Sequence, residues 1–176
     1  SKKHIQVLIL IPTRELALQT SAIVRELGKH MKVECMVSTG GTSLKDDIMR
    51  LYKPVHVLVG TPGRILDLSE KHVADLGCCH TVIMDEADKL LSPEFEPLLE
   101  KLVHHCSAER QICLFSATFP NEIKSLADSL LNSPKRIQVK SNNSTADKVK
   151  QVIYPVDKYI FKIFTTALLT KSDFYL

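Results

Sequence analysis

Two carboxylates stand side by side in Asp85-Glu86-Ala87-Asp88, directly after the apolar, β-branched run from Thr81 to Met84. A carboxylate at the end of a buried strand can hold Mg²⁺, a cation that keeps several waters and is bound through one or two carboxylates plus substrate phosphates. The neighbouring carboxylate can orient or deprotonate a water, assistance worth about 10²–10⁴ in rate. An acidic first turn favoured by the helix dipole produces the same pair with no chemistry attached. The pair therefore takes its meaning from its surroundings. Pro12-Thr13-Arg14-Glu15-Leu16-Ala17, Thr39-Gly40-Gly41, Thr61-Pro62-Gly63-Arg64 and Ser116-Ala117-Thr118 each follow another apolar run. Thr13, Thr61 and Thr118 stand where helices open, and exposed N–H groups there attract phosphates. Glycines let a phosphodiester backbone approach closely. Arg14 and Arg64 carry forks that match phosphate oxygens. An N-cap with a turn glycine explains any one of these segments. Together, in this order, they point to a nucleic-acid backbone track beside a metal–phosphate site.

The elements that must position these residues follow from the hydrophobic pattern. Strands are expected at Ile5 to Ile11, Val33 to Ser38, Val55 to Val59, Thr81 to Met84, Gln111 to Phe115 and Arg136 to Val139. Their near-continuous apolar character suits strands buried on both faces. Helices are expected from an N-cap at Thr13 to Gly28, with Leu16, Ile23, Val24 and Leu27 on one face, and at Ser43 to Leu51 and Pro62 to Leu68. Others are expected at Glu86 to Leu91, Glu94 to His105 and Asn121 to Leu131. Alternating strands and helices imply a doubly wound α/β domain with a mostly parallel sheet covered on both faces. Ligands in such sheets sit outside the carboxyl ends of the strands, which is where the segments above fall. The polar stretch 140–150, with Ser-Asn-Asn-Ser-Thr at its centre, reads as a linker. A strand at Gln151 to Val156 and a helix at Lys158 to Thr170 cannot bury a core by themselves, so 151–176 reads as the start of a second domain.

The 176 residues are 44% hydrophobic and 24% charged, which fits a globular chain with a real core. No apolar run approaches the ~20 residues of a membrane-spanning helix, and Ser1-Lys2-Lys3-His4 has no secretory apolar stretch. A net charge of +3 permits a polyanionic partner without requiring one, so a nucleic-acid reading rests on local groups. Cys78-Cys79-His80 and His104-His105-Cys106 are the places to look for zinc. Their adjacent ligands suit a tetrahedral ion poorly, and reduced cysteines are the simpler reading.

The ordered series PTRELA, GG, TPGR, DEAD and SAT, from about Gln6 to Val139, resembles the first RecA-like domain of the DEAD-box RNA helicases. Gly40-Gly-Thr-Ser-Leu-Lys-Asp-Asp-Ile-Met-Arg-Leu51 and Asp85-Glu-Ala-Asp-Lys-Leu-Leu-Ser92 resemble a narrower group, the cytoplasmic helicases of mRNA storage, translational repression and decapping (the Rck/Me31B type). The resemblance implies a RecA-like domain over 1–139 that uses ATP and Mg²⁺, binds RNA and parts duplexes locally in the cytoplasm. Decapping and translational-repression proteins would be its partners. By position, Asp85 would contact Mg²⁺ mainly through waters, and Glu86 would polarise the attacking water. Asp88 would couple the nucleotide and RNA sites through Ser116 and Thr118. Pro12, Thr13, Arg14, Gly41, Thr61, Pro62, Gly63 and Arg64 would lie along the RNA backbone.

The sequence departs from that pattern by what it lacks, including the second domain's arginines that the resemblance implies would complete the ATP site and the RNA clamp. It contains neither a Gly-x-x-x-x-Gly-Lys-Ser/Thr loop nor the upstream glutamine segment, which reads as a domain whose first part is missing. These 176 residues alone are accordingly expected to hydrolyse no ATP at a useful rate, and to expose strand edges that favour aggregation. A non-catalytic RNA- or protein-binding module derived from such a helicase is the alternative, and a DNA helicase or other phosphate-loop ATPase a weaker one. The central expectation is geometric. Asp85 should lie near Ser116, and Arg14 and Arg64 should open onto one side of the molecule.

Overall fold

The computed structural model describes residues 4–131 and 133–137. Five strands, β1 (Val7–Leu10), β2 (Cys35–Ser38), β3 (Val57–Gly60), β4 (Thr81–Asp85) and β5 (Gln111–Phe115), form one parallel sheet in the order β2-β3-β1-β4-β5. Six helices connect or follow them: α1 (Arg14–Gly28), α2 (Leu44–Leu51), α3 (Pro62–Glu70), α4 (Ala87–Leu90), α5 (Glu96–His105) and α6 (Asn121–Leu130). Every expected element within the described residues is present, with ends moved by one to a few positions. Residues 136 and 137 form no strand. The remainder of that expected strand, the 140–150 linker and the 151–176 segment lie outside the described residues.

Side-chain alternation sorts each strand onto two faces. Leu8 and Leu10 join Leu58, Val82 and Met84 in a large core closed by Ile65, Leu68, Leu99 and Leu102 from α3 and α5. Ile9 and Ile11 face the other way with Val57 and Val59, under Ala17 of α1. Cys79 belongs to the large core and Cys78 is exposed, so this cysteine pair straddles the surface.

One expectation about α1 is corrected. Its buried stripe is Ala17, Ser21 and Gly28, with Leu16 and Val24 only half-buried, whereas Ile23 is 61% and Leu27 74% exposed. The helix meets the sheet through small residues that let its axis come close. An apolar count along the sequence weights large side chains and so selects the wrong stripe.

The strand order contains a reversal that the sequence does not announce. From β1 the chain passes through α1 to β2 on one side, and later crosses to β4 and β5 on the other. Such a switch leaves a crevice outside the carboxyl ends of the two central strands, here β1 and β4. At the neighbouring end of β3, Gly60 pairs with Ser38, and a Cβ on it would stand 2.1 Å from the Ser38 carbonyl oxygen and 2.7 Å from Ile65 Cδ1. A backbone oxygen in a sheet cannot step aside. Gly60→Ala is therefore expected to cost about 1–3 kcal/mol through overpacking, read as a lower urea midpoint. An unchanged midpoint would count against this packing.

Candidate nucleotide and nucleic-acid site

At the end of β4, Asp85 pairs in register with Phe115 of β5, which places it one residue from Ser116. The Asp85 Oδ1 accepts the Glu86 backbone N–H at 2.9 Å. Glu86 has a left-handed backbone (φ 51, ψ 50) and its carbonyl accepts from Lys89 and Leu90 as α4 begins. A non-glycine residue there costs about 1–3 kcal/mol and persists only where its surroundings enforce it. The turn carries the chain sharply from strand to helix, leaving Asp85 exposed and Glu86 half-exposed at the rim. Glu86 Oε2 is bridged to Lys89 Nζ at 2.8 Å. The sequence reading missed both the inverted backbone and the Lys89 bridge.

Asp88 ties this turn to the next segment. Its backbone N–H donates to Ser116 Oγ at 3.3 Å, its carboxylate accepts from Thr118 Oγ1 at 2.6 Å, and the Ser116 hydroxyl donates to the Thr118 carbonyl at 2.6 Å. Thr118 does not open α6, as the sequence pattern suggested. That helix is preceded by Pro120, and the Thr118 hydroxyl is committed to Asp88. The hydrogen bond from Thr118 holds the Asp88 carboxyl below its ordinary value. A lowered value in the folded state means that the contribution is complete above the ordinary carboxylate range, near ~4. It is lost as pH falls through the folded value. Thr118→Ala is expected to raise the Asp88 titration midpoint toward the ordinary range in a carboxyl NMR titration. A midpoint that stays put would show that Thr118 does not hold Asp88.

The other half of the rim is built at the ends of β1, β2 and β3. Thr13 caps α1, its Oγ1 accepting from the Leu16 N–H at 3.4 Å. Arg14 is exposed, and its Nη1 lies 3.7 Å from where a Cβ of Gly41 would be. Gly41 has φ 79, a conformation that favours glycine. Thr61 makes no cap bond. Its Oγ1 instead accepts the Gly40 N–H at 3.2 Å, which joins the turn after β2 to the turn after β3. Side chains added at Gly40 or Gly63 would meet open space, so a polymer could approach both. Pro12 is half-buried beside Thr13. Pro62 is buried at the start of α3, so it shapes the turn from beneath instead of lining its surface.

Arg64 departs most from its expected place. Its guanidinium points inward, with Nη1 donating to Asp47 Oδ2 at 2.7 Å and Thr42 Oγ1 at 3.1 Å, and Nη2 to the Thr42 carbonyl at 2.7 Å. Arg14 and Arg64 thus converge on one turn, 39–42, Arg14 at Gly41 and Arg64 at Thr42. Asp47 and Thr42, its partners here, were not singled out by sequence. Asp46 and Asp47 read alike until the helix shows which one turns inward.

The donor set can be tested against a metal. Among the described residues no group of three or more His, Cys, Asp or Glu side chains could cage an ion. Asp85, exposed at a strand end with one oxygen taken by the Glu86 N–H, fits an ion held mainly by waters and substrate phosphates.

Residues 1–126 match the family model described as DEAD/DEAH box helicase. The probable ATP-dependent RNA helicase ddx6 of Dictyostelium discoideum is 63% identical over 139 residues, covering 79% of this chain and 33% of that protein. ATP-dependent RNA helicase DHH1 of Phaeosphaeria nodorum is 61% identical over 134 residues, covering 76% of this chain and 26% of that protein. The chain therefore spans about a third or less of the length of these curated relatives. Among solved structures, a Dbp5 variant of S. cerevisiae bound to RNA and ADP BeF3 superposes with a TM-score of 0.74 at 28% identity, over 85% of this chain and 37% of that one.

Proposed function

The chain belongs to the DEAD/DEAH box helicase family, among its ddx6/DHH1-type members, and we propose that it supplies the nucleotide-and-RNA rim of an ATP-dependent RNA helicase. The observation that carries this reading is the hydrogen-bonded chain from Asp88 to Thr118 and Ser116, beside Asp85 and Glu86 at the same carboxyl edge of the parallel sheet that carries Arg14 and Gly41. Bound Mg²⁺ and ATP supply a polarised terminal phosphate. Asp85 would help to hold the ion, and Glu86 would orient the attacking water and take its proton. Asp88, Ser116 and Thr118 transmit the state of that pocket along the rim.

RNA lies across Thr13, Arg14, Gly41, Thr61 and Gly63, read through phosphates and sugars and so without sequence preference. The 2′-hydroxyl distinguishes it from DNA. Residues 1–139 are the first RecA-like domain, 140–150 a linker and 151–176 the beginning of a second. Its proposed setting is cytoplasmic mRNA metabolism, with decapping and translational-repression proteins as proposed partners. The alternative of a non-catalytic module finds no support in Asp85, Glu86 or the Ser116–Thr118 segment, all of which keep the residue types the chemistry needs. The deciding measurement is ATP turnover by the intact protein with and without single-stranded RNA. Turnover that rises with RNA and not with DNA of the same sequence is expected. Turnover indifferent to RNA would sink the proposal.

A further inference from the structure

Asp47 lies outside the phosphate-seeking segments, yet among the described residues it is the only charged residue in the buried set, at 2% exposure. Its carboxylate is where four pieces of structure meet. Oδ2 accepts from Ser38 Oγ at the end of β2, at 2.6 Å, and from Arg64 Nη1 on α3, at 2.7 Å. Oδ1 faces Arg50 Nη1 at 3.3 Å, and Arg50 also donates to the Val37 carbonyl at 3.1 Å. Through Arg64 the same carboxylate reaches the Thr42 hydroxyl and carbonyl, and Thr42 Oγ1 donates back to the Thr39 carbonyl at 2.8 Å.

We propose that Asp47 is the positioning residue of the RNA track: it draws Arg64 inward so that the guanidinium holds the 39–42 turn, and with it Gly41 beside Arg14, in the shape that receives a phosphodiester backbone. This rests on the RNA reading above. The donor count supports it. Both Nη1 hydrogens and one Nη2 hydrogen of Arg64 are spent inside the protein, and its side chain is 11% exposed. One Nη2–H and the Nε–H remain. Arg64 therefore acts on RNA through the turn it braces, while Arg14, exposed beside Gly41, offers its charge directly.

The two roles separate in salt. A direct phosphate contact on a single strand adds about 0.7 to the slope of log affinity against log salt, whereas a brace adds nothing. The test uses the intact protein and a short single-stranded uridylate RNA, with affinity referred to the folded, binding-competent fraction across a salt series. Asp47→Asn is expected to weaken binding about tenfold with the slope unaltered. Arg64→Ala should do the same, and the double variant should bind no worse than Arg64→Ala alone, because both act through one turn.

Three results overturn the proposal. One is normal affinity of the folded fraction of Asp47→Asn with only a lower melting temperature, which is a structural role. Another is additive losses in the double variant. The third is a slope reduced by about 0.7 in Arg64→Ala, the mark of a lost phosphate contact. If Asp47→Asn does not fold, Ser38→Ala removes one bond to the carboxylate and keeps the ion pair. It should weaken RNA binding in the same direction at unchanged slope, and unaltered affinity there overturns the proposal as well. RNA binding absent from the unsubstituted protein would sink the underlying reading, and this inference with it. Failure confined to the variants sinks the inference alone.

Discussion

ATP turnover by the intact protein, at saturating ATP and RNA, is expected to fall by about 10²–10⁴ on Glu86→Gln. Glutamine keeps the length and shape of the side chain and can still accept a hydrogen bond, but it cannot take the proton of an attacking water. The backbone around it is over-determined. The Asp85 carboxylate receives the Glu86 N–H, and α4 grows from the Glu86 carbonyl, so the substitution should leave the turn in its left-handed form. The Lys89 bridge is the part that changes, because a neutral amide holds an ammonium less firmly. A turnover rate close to that of the unsubstituted protein would remove Glu86 from the proton transfer and leave the carboxyl end of β4 without a base.

On the stability side, the largest loss is expected from Asp47→Ala. The carboxylate and the Arg64 guanidinium are 3% and 11% exposed as side chains, so their attraction is little screened by water. Removing one partner of a buried pair leaves the other charge uncompensated, at a cost of about 3–5 kcal/mol. Ser38, buried at the end of β2, loses its acceptor as well. Against a typical total of about 5–15 kcal/mol for a domain, that is a large fraction. Urea unfolding of the intact protein measures it. Replacing Asp67 on α3 or its partner Lys71 just past the helix end, a pair in contact with solvent, should change little by comparison. If Asp47→Ala and Asp67→Ala proved equally mild, the carboxylate at 47 would not be the keystone its surroundings make it.

Much of the fold can be read along the chain because parallel α/β elements are written locally. Runs such as IQVLILI, buried on both faces, and QICLF announce strands by their apolar density. Thr13 announces a helix by its hydroxyl and does cap it, accepting from Leu16, and Ser43, the expected start of the next helix, caps α2 by accepting from Asp46. The motif residues at the strand ends are legible for the same reason: Asp85, Glu86, Arg14 and Gly41 are defined by type and by place after a strand.

What the residues alone did not settle is which neighbours they would meet. The order β2-β3-β1-β4-β5, with its reversal between β1 and β4, is a choice among sheet arrangements that share one alternation of strands and helices. The inward stripe of α1 was set by how closely the helix could approach the sheet, and that favoured Ala17 and Ser21 over Ile23 and Leu27. Arg64 shows the limit most clearly. Its type promised a phosphate fork, yet a buried carboxylate 17 positions earlier in the chain claims it, because a charge taken out of water must find its partner inside the protein. Local chemistry determined which groups stand at the rim. Tertiary structure decided which of them face outward, since burial and pairing depend on residues distant in sequence.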